Sequence, residues 1–204
     1  MVVDPMNLNQ TILAEGKMTE SKKSSHSRIL AEVVVFSALS AVLYAVRPFS
    51  LPFGGAITLG SMVPVMFISL RRGIRVGVIS GVVFGALALP IDVITLGASS
   101  IIVSPLQVFL EYPLAFGIIG LTGMFHRKTV RFAIAGAGIS VFIRFLVHYF
   151  VGVYVWYYVY AFPAGYGQYV WPAVYNGSFL LVEFVISAVL LAVLVKRGTL
   201  DYAL

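Results

Sequence analysis

In a chain dominated by apolar residues, the side chains able to do chemistry are few and fall into three groups. Gln107 and Glu111 lie one helical turn apart with Tyr112 adjacent. Arg144 and His148 stand at i, i+4 with Trp156 on the same half of a helix, and Asn176 and Glu183 share a stripe at i, i+7. An ionisable group deep in a hydrophobic span is costly unless it faces a cavity or a partner, so each raises a functional reading. A lone carboxylate with His, Asn and Trp suits a flat heteroaromatic cation. Aromatic faces attract positive charge, the carboxylate compensates it at low dielectric, and Asn with His reads ring nitrogens and amino groups.

Structural alternatives stand beside that reading: an ion pair between Glu111 and Arg144, a buried His148 bonded to backbone, and a Glu183–Arg144 pair. Glu111, His148 and Asn176 favour a site because they lie toward the outward ends of their helices, beside aromatic loops. Glu183 sits mid-span and reads as structural. Tyr149, Tyr154, Tyr157 and Tyr158 are candidates for the cavity wall, for packing or for an interfacial belt. Catalysis is poorly served: the chain has no HExxH, no paired carboxylates at a defined gap, no Ser, His and Asp order and no Walker A glycine loop. With no cysteine, thiolate nucleophiles, disulfides, zinc-thiolate sites and cysteine-ligated clusters are excluded.

The elements that must position these groups are membrane helices. Of 204 residues, 60% are hydrophobic and 11% charged, and the mean hydropathy is +0.97. A helix crosses a bilayer in roughly 20 apolar residues, so this composition predicts about six crossings and no soluble catalytic domain. Six apolar segments are legible, at 29–46, 57–70, 74–89, 106–125, 132–158 and 172–195. They predict an all-α membrane protein of six transmembrane helices over 29–197, between a polar, disordered cytoplasmic tail at 1–28 and a short cytoplasmic tail at 198–204. No signal peptide fits the polar start. The second segment is short, so irregular backbone around Gly54 and Gly55 is expected to enter the membrane against protein or water. Except for Arg47 and Arg144, the 14 basic residues all fall on alternate connections or the ends, which places both termini in the cytoplasm. Topology accounts for the net charge of +6 better than nucleic-acid binding does. The outward stretches 47–56 and 159–171 are rich in Pro, Gly and aromatics and read as lids or belts, and 90–104 reads as a loop carrying Asp92.

Two smooth faces stand out. Gly73, Gly77, Gly81 and Gly85 form an i+4 stripe that lets another helix approach closely, most simply within the bundle. Ser37, Ala41 and Ala45, with Ala38 beside them, form a second face for the bundle or a partner subunit.

From about residue 29 to 197, the chain resembles the thiamine-specific substrate-binding (S) components of energy-coupling factor (ECF) vitamin transporters. The markers are GGAITLGSMVPVMFISLRRG (54–73), PLQVFLEYPLAFGIIGLTGMF (105–125), IRFLVHYFVGVYVW (143–156) and WPAVYNGSF (171–179). Each is weak singly; together, in order, they are fairly specific. The resemblance implies six helices with both termini inside and thiamine in an outward pocket made by the last three helices and the first outward loop. The family's pocket carboxylate falls on Glu111 with its neighbour Tyr112, its histidine on His148, its tryptophan on Trp156 and its asparagine on Asn176, and a preceding aromatic falls on Trp171. Where some relatives carry a stacking tryptophan in the first loop, this chain has Gly55. The family's docking motif on the first helix matches at Ala38 but has Val34 four residues earlier, so the docking face is expected on Ala38, Ala41 and Ala45. The implied ligand is thiamine, with no cofactor or metal. The implied partners are the lipid bilayer, a transmembrane coupling subunit and two ATPases, which drive reorientation and inward release at the cell membrane. The alternatives are an S component for another flat heterocyclic vitamin, a small membrane enzyme using His148 and Glu111 as acid and base, and a structural or channel-forming bundle.

Overall fold

The computed structural model describes residues 26–125, 129–161, 163 and 165–200. Helix α1 (His26–Ala45) leads into an antiparallel hairpin, β1 (Phe49–Ser50) and β2 (Ala56–Ile57), with Phe49 opposite Ile57 and a 3-10 turn at Pro52–Gly54 between the strands. Then come α2 (Val63–Arg72), α3 (Ile74–Leu96) and the short α4 (Ala98–Ile101). The long helix α5 spans Pro105–Met124. Helix α6 (Val130–Tyr154) ends in a 3-10 turn, Trp156–Tyr158, and α7 (Val170–Lys196) completes the chain. From Val33 onward the chain forms one compact body. The expected tail at 1–28 lies mostly outside the described residues, as do Arg127 and Lys128.

Among the described residues, five helices, α1, α3, α5, α6 with its terminal turn, and α7, are long and apolar enough to cross a membrane. The second segment is corrected. Ile57 belongs to β2, Gly60 turns the chain at φ +82°, and α2 begins only at Val63. Its 10 residues rise about 15 Å, half a hydrocarbon core. The backbone ahead of α2, around Gly54 and Gly55, is the irregular hairpin with its 3-10 turn.

The third segment is corrected in the other direction. A proline at 90 signals a helix end, yet α3 continues through Pro90 to Gly97, whose φ of +86° stops it. Asp92 is therefore a buried helical residue, not part of a loop.

Helix α5 matches its expected span but not a uniform helix. Pro113 has no N–H to give the ladder, and residues Leu110–Leu114 widen into a π turn before Ile118–Met124 tighten to 3-10. The wide turn carries Glu111 and Tyr112.

The glycine stripe positions this turn. A Cβ on Gly81 would collide with the Phe116 carbonyl, one on Gly85 with that of Tyr112, and one on Gly77 with Ser69 and the Gly120 carbonyl. The backbones of α3 and α5 thus touch directly. Gly73 does not share this role: at φ +91° it makes the turn between α2 and α3 and has open space beside it. On α1, Ser37 Oγ donates to the Ser80 carbonyl at 2.9 Å and Ala41 is buried, whereas Ala38 and Ala45 are exposed. Ala41 therefore packs inside the bundle and is removed from the expected docking face, because its stripe is already occupied by α3. Gly123 N–H donates to Ser69 Oγ, so the α2–α3 turn with Arg71, Arg72 and Arg75 lies at the same end of the bundle as the α5–α6 connection. The hairpin lies at the other end.

Candidate binding site

At the hairpin end, α3, α5, α6, α7 and the hairpin line a cavity of about 130 Å³. Glu111, Tyr112, His148, Trp156, Trp171 and Asn176 all line it. The wide turn of α5 brings Glu111 to the wall, where Trp156 Nε1 donates to its Oε1 at 2.8 Å and Gln107 Nε2 donates to its Oε2. Gln107 is itself fixed: Nε2 also donates to the Ile101 carbonyl, and Oε1 accepts from Val103 N–H.

The expected alternative of a Glu111–Arg144 pair does not form. His148 stands between them, with Nδ1 3.6 Å from Glu111 Oε1 and Nε2 accepting from Arg144 Nε at 3.3 Å. An acceptor Nε2 carries no proton, so the imidazole is neutral with its proton on Nδ1. His148 is thus bonded to a side chain, not to backbone. Arg144 is buried over the Phe116 ring, 4.2 Å from its centroid. It pairs with no carboxylate among the described residues, Glu183 included. Glu183 instead accepts from Thr58 N–H and Thr58 Oγ1, tying α7 to the hairpin.

Gly152 brings α7 against α6, since a Cβ there would lie 2.7 Å from Pro172. Asn176 Nδ2 donates to the Pro172 carbonyl at 2.9 Å and faces the His148 carbonyl at 3.5 Å. Carbonyls only accept, so the Asn176 amide is oriented with its NH2 engaged and its oxygen free of these bonds. Trp171 packs on Tyr175 with centroids 5.8 Å apart, and Trp156 stacks on Tyr160 at 5.3 Å and 17°. Outside the spans, burial first and the Glu111 charge second push the Tyr160 phenol up, keeping it neutral.

Several lining residues escaped the sequence reading. Tyr175 Oη accepts from Gly55 N–H at 2.8 Å and donates to the Pro52 carbonyl, closing the hairpin on α7. A Cβ on Gly55 would stand 2.7 Å from that oxygen and 3.0 Å from the Phe179 ring. The missing side chain at Gly55 leaves the space that Tyr175 and Phe179 fill, and Tyr175 supplies the aromatic wall there. Asp92 pairs with Arg47 and accepts from the hydroxyls of Tyr44 and Tyr112 at 2.9 Å each. Burial opposes the Arg47 charge, but Tyr44 and Asp92 outweigh it and raise the guanidinium above its usual range. Of the aromatic candidates, Tyr149, Tyr154, Tyr157 and Tyr158 do not line the cavity, and Tyr154 and Tyr158 are strongly exposed. No local signal marked Tyr175; Asp92 was hidden by the proline before it.

Membrane-length helices around a polar and aromatic hollow define a multi-pass membrane protein. The thiamine transporter protein family (Thia_YuaJ) matches residues 30–200, and the chain belongs to that family. Among curated relatives, the thiamine transporter ThiT of Lacticaseibacillus paracasei is 33% identical over 145 residues, 65% of this chain and 70% of that protein. ThiT of Bacillus subtilis is 25% identical over 177 residues, 81% and 88% of the two chains. A solved structure of ThiT from Listeria monocytogenes superposes with a TM-score of 0.69 at 28% identity, covering 86% of this chain and 97% of that one. The chain is a multi-pass transport protein of the cell membrane, not an enzyme.

Proposed function

We propose that the chain is the thiamine-binding S component of an ECF transporter and holds one thiamine in the cavity at the hairpin end. The observation that carries this reading is Glu111: a carboxylate held by two neutral donors, Trp156 and Gln107, with no arginine or lysine in contact among the described residues. The thiazolium ring of thiamine supplies the missing cation. Trp156, Trp171 and Tyr175 offer aromatic faces to a flat ring, and the Asn176 oxygen and Tyr112 offer acceptors to an aminopyrimidine. The cavity lining carries three carboxyl groups, Glu111, Asp92 and Glu183, against one guanidinium, Arg144, and Asp92 is separately paired with Arg47. This balance suits a cation. The relatives named for thiamine support the same ligand.

The cavity opens outward in this reading, with both termini in the cytoplasm and the basic end inside. The chain has no nucleotide-binding motif, so uptake requires a coupling subunit and two ATPases. The exposed face of α1 with Ala38 and Ala45 is the docking surface. The test is fluorescence titration of the detergent-purified protein with thiamine, riboflavin and biotin. Tryptophan quenching that saturates at one thiamine per chain is expected. Saturation by another vitamin with none by thiamine overturns the assignment.

A further inference from the structure

We propose that Asp92 is a specificity-determining residue that makes the Tyr44 and Tyr112 phenols on the cavity wall accept hydrogen bonds and never donate them. Tyr44 and Tyr112 both line the cavity, and both phenols already give their single proton to Asp92 Oδ2, at 2.9 Å each. The other carboxylate oxygen is held by Arg47, whose Nε donates to the Tyr44 carbonyl at 3.0 Å and whose guanidinium lies 4.3 Å over the Tyr44 ring. Asp92 is 4% exposed and cannot turn away. A phenol with its proton committed has only lone pairs left. The two oxygens therefore reward an N–H or O–H on the ligand and repel a carbonyl placed there, and a mismatch that leaves buried polar groups unpaired discriminates strongly. No direct contact between Asp92 and ligand is needed.

The inference rests on the thiamine reading and names what that reading leaves open: which groups select an amino or hydroxyl substituent over an oxo or deleted one. In the Asp92→Asn variant, the amide oxygen serves Arg47 and the NH2 faces the phenols. Each phenol then accepts from the amide and turns its proton to the cavity. Tyr112→Phe removes one acceptor while leaving the Arg47–Asp92 pair in place, so it reports even if Asp92→Asn fails to fold.

The test uses the full-length protein in detergent, titrated with thiamine, oxythiamine (oxo in place of the pyrimidine amino group) and the chloroethyl analogue (chlorine in place of the hydroxyl). The wild-type protein is expected to bind thiamine at least about tenfold more tightly than one of the two analogues. That ratio is expected to fall below about threefold in both variants, a change of preference that mere loosening of the fold would not produce. Equal affinity for all three ligands in the wild type, or an unchanged ratio in the variants, overturns the proposal while the thiamine assignment stands. Failure of the wild type to bind thiamine removes that assignment and this inference with it.

Discussion

Two of the three carboxylates that line this cavity are treated in opposite ways. Asp92 meets a guanidinium and two phenols, so its charge and its lone pairs are satisfied inside the protein. Glu111 meets an indole N–H, an amide and a neutral imidazole held off at 3.6 Å. Hydrogen bonds orient Glu111 without neutralising it, and the nearest free guanidinium, that of Arg144, is screened by His148. Removing a charge from water is tolerable when a counter-charge is fixed beside it. Asp92 carries its counter-charge permanently, whereas Glu111 waits for one from outside. Of these two, the one oriented but left uncompensated is the one that suits a cationic ligand, and the fully compensated one belongs to the architecture.

The contrast breaks most visibly at Arg47. Arg47→Met strands Asp92 in the interior and is expected to lower stability by about 3–5 kcal/mol, read as a fall in the thermal unfolding midpoint in detergent. An unchanged midpoint would mean that Asp92 does not depend on its partner. Glu111→Gln is expected to do the reverse. It removes about 2–3 kcal/mol of thiamine binding, because the lost interaction is with a charged ligand, and leaves the unfolding midpoint nearly unchanged. An uncharged analogue should lose much less; equal losses for both ligands would show that charge compensation is not the role of Glu111.

How much of this was legible depended on whether the signal was local. Apolar run length, the i+4 glycines and the alternating basic connections each encode one helix or one interface, and the backbone contact of α3 with α5 at Gly81 and Gly85 follows from them. The six expected site residues converge because each lies near the same end of its helix. Asp92 was read as a loop residue because Pro90 is a local stop signal, which the surrounding helices override by packing around it. The stripe of Ser37, Ala41 and Ala45 was left open between the bundle and a partner because spacing alone cannot decide it, and burial now puts Ala41 inside the bundle. Tyr175 and Gly55 are far apart in sequence, and nothing in either segment announces that one requires the other.

Smaller effects sharpen the comparison around the Glu111 side. Asn176→Ala and His148→Ala are each expected to cost about 1–3 kcal/mol of thiamine affinity. For His148 part of the loss arises because Arg144 then faces Glu111 without the imidazole between them. A double variant, His148→Ala with Arg144→Gln, should recover part of that loss if the guanidinium competes with the ligand for Glu111, and additive losses would place His148 in direct ligand contact instead.

The smallest effect is expected at the hairpin. Tyr175→Phe deletes the bond to the Pro52 carbonyl and the acceptor for Gly55 N–H but keeps the ring against Trp171. With one exposed and one part-buried hydrogen bond lost and the aromatic wall intact, the cost is about 1 kcal/mol, appearing as faster thiamine release in stopped-flow quenching. Gly55→Trp brings a side chain onto the Tyr175 oxygen and the Phe179 ring, so it should weaken binding alone and weaken it less when Tyr175 is also changed to Ala. That coupling, on the order of 1 kcal/mol, distinguishes two interchangeable ways of building one wall from two walls that act independently. The exchange leaves Glu111 untouched, so the preference for a cationic ligand over a neutral one should persist in all three proteins.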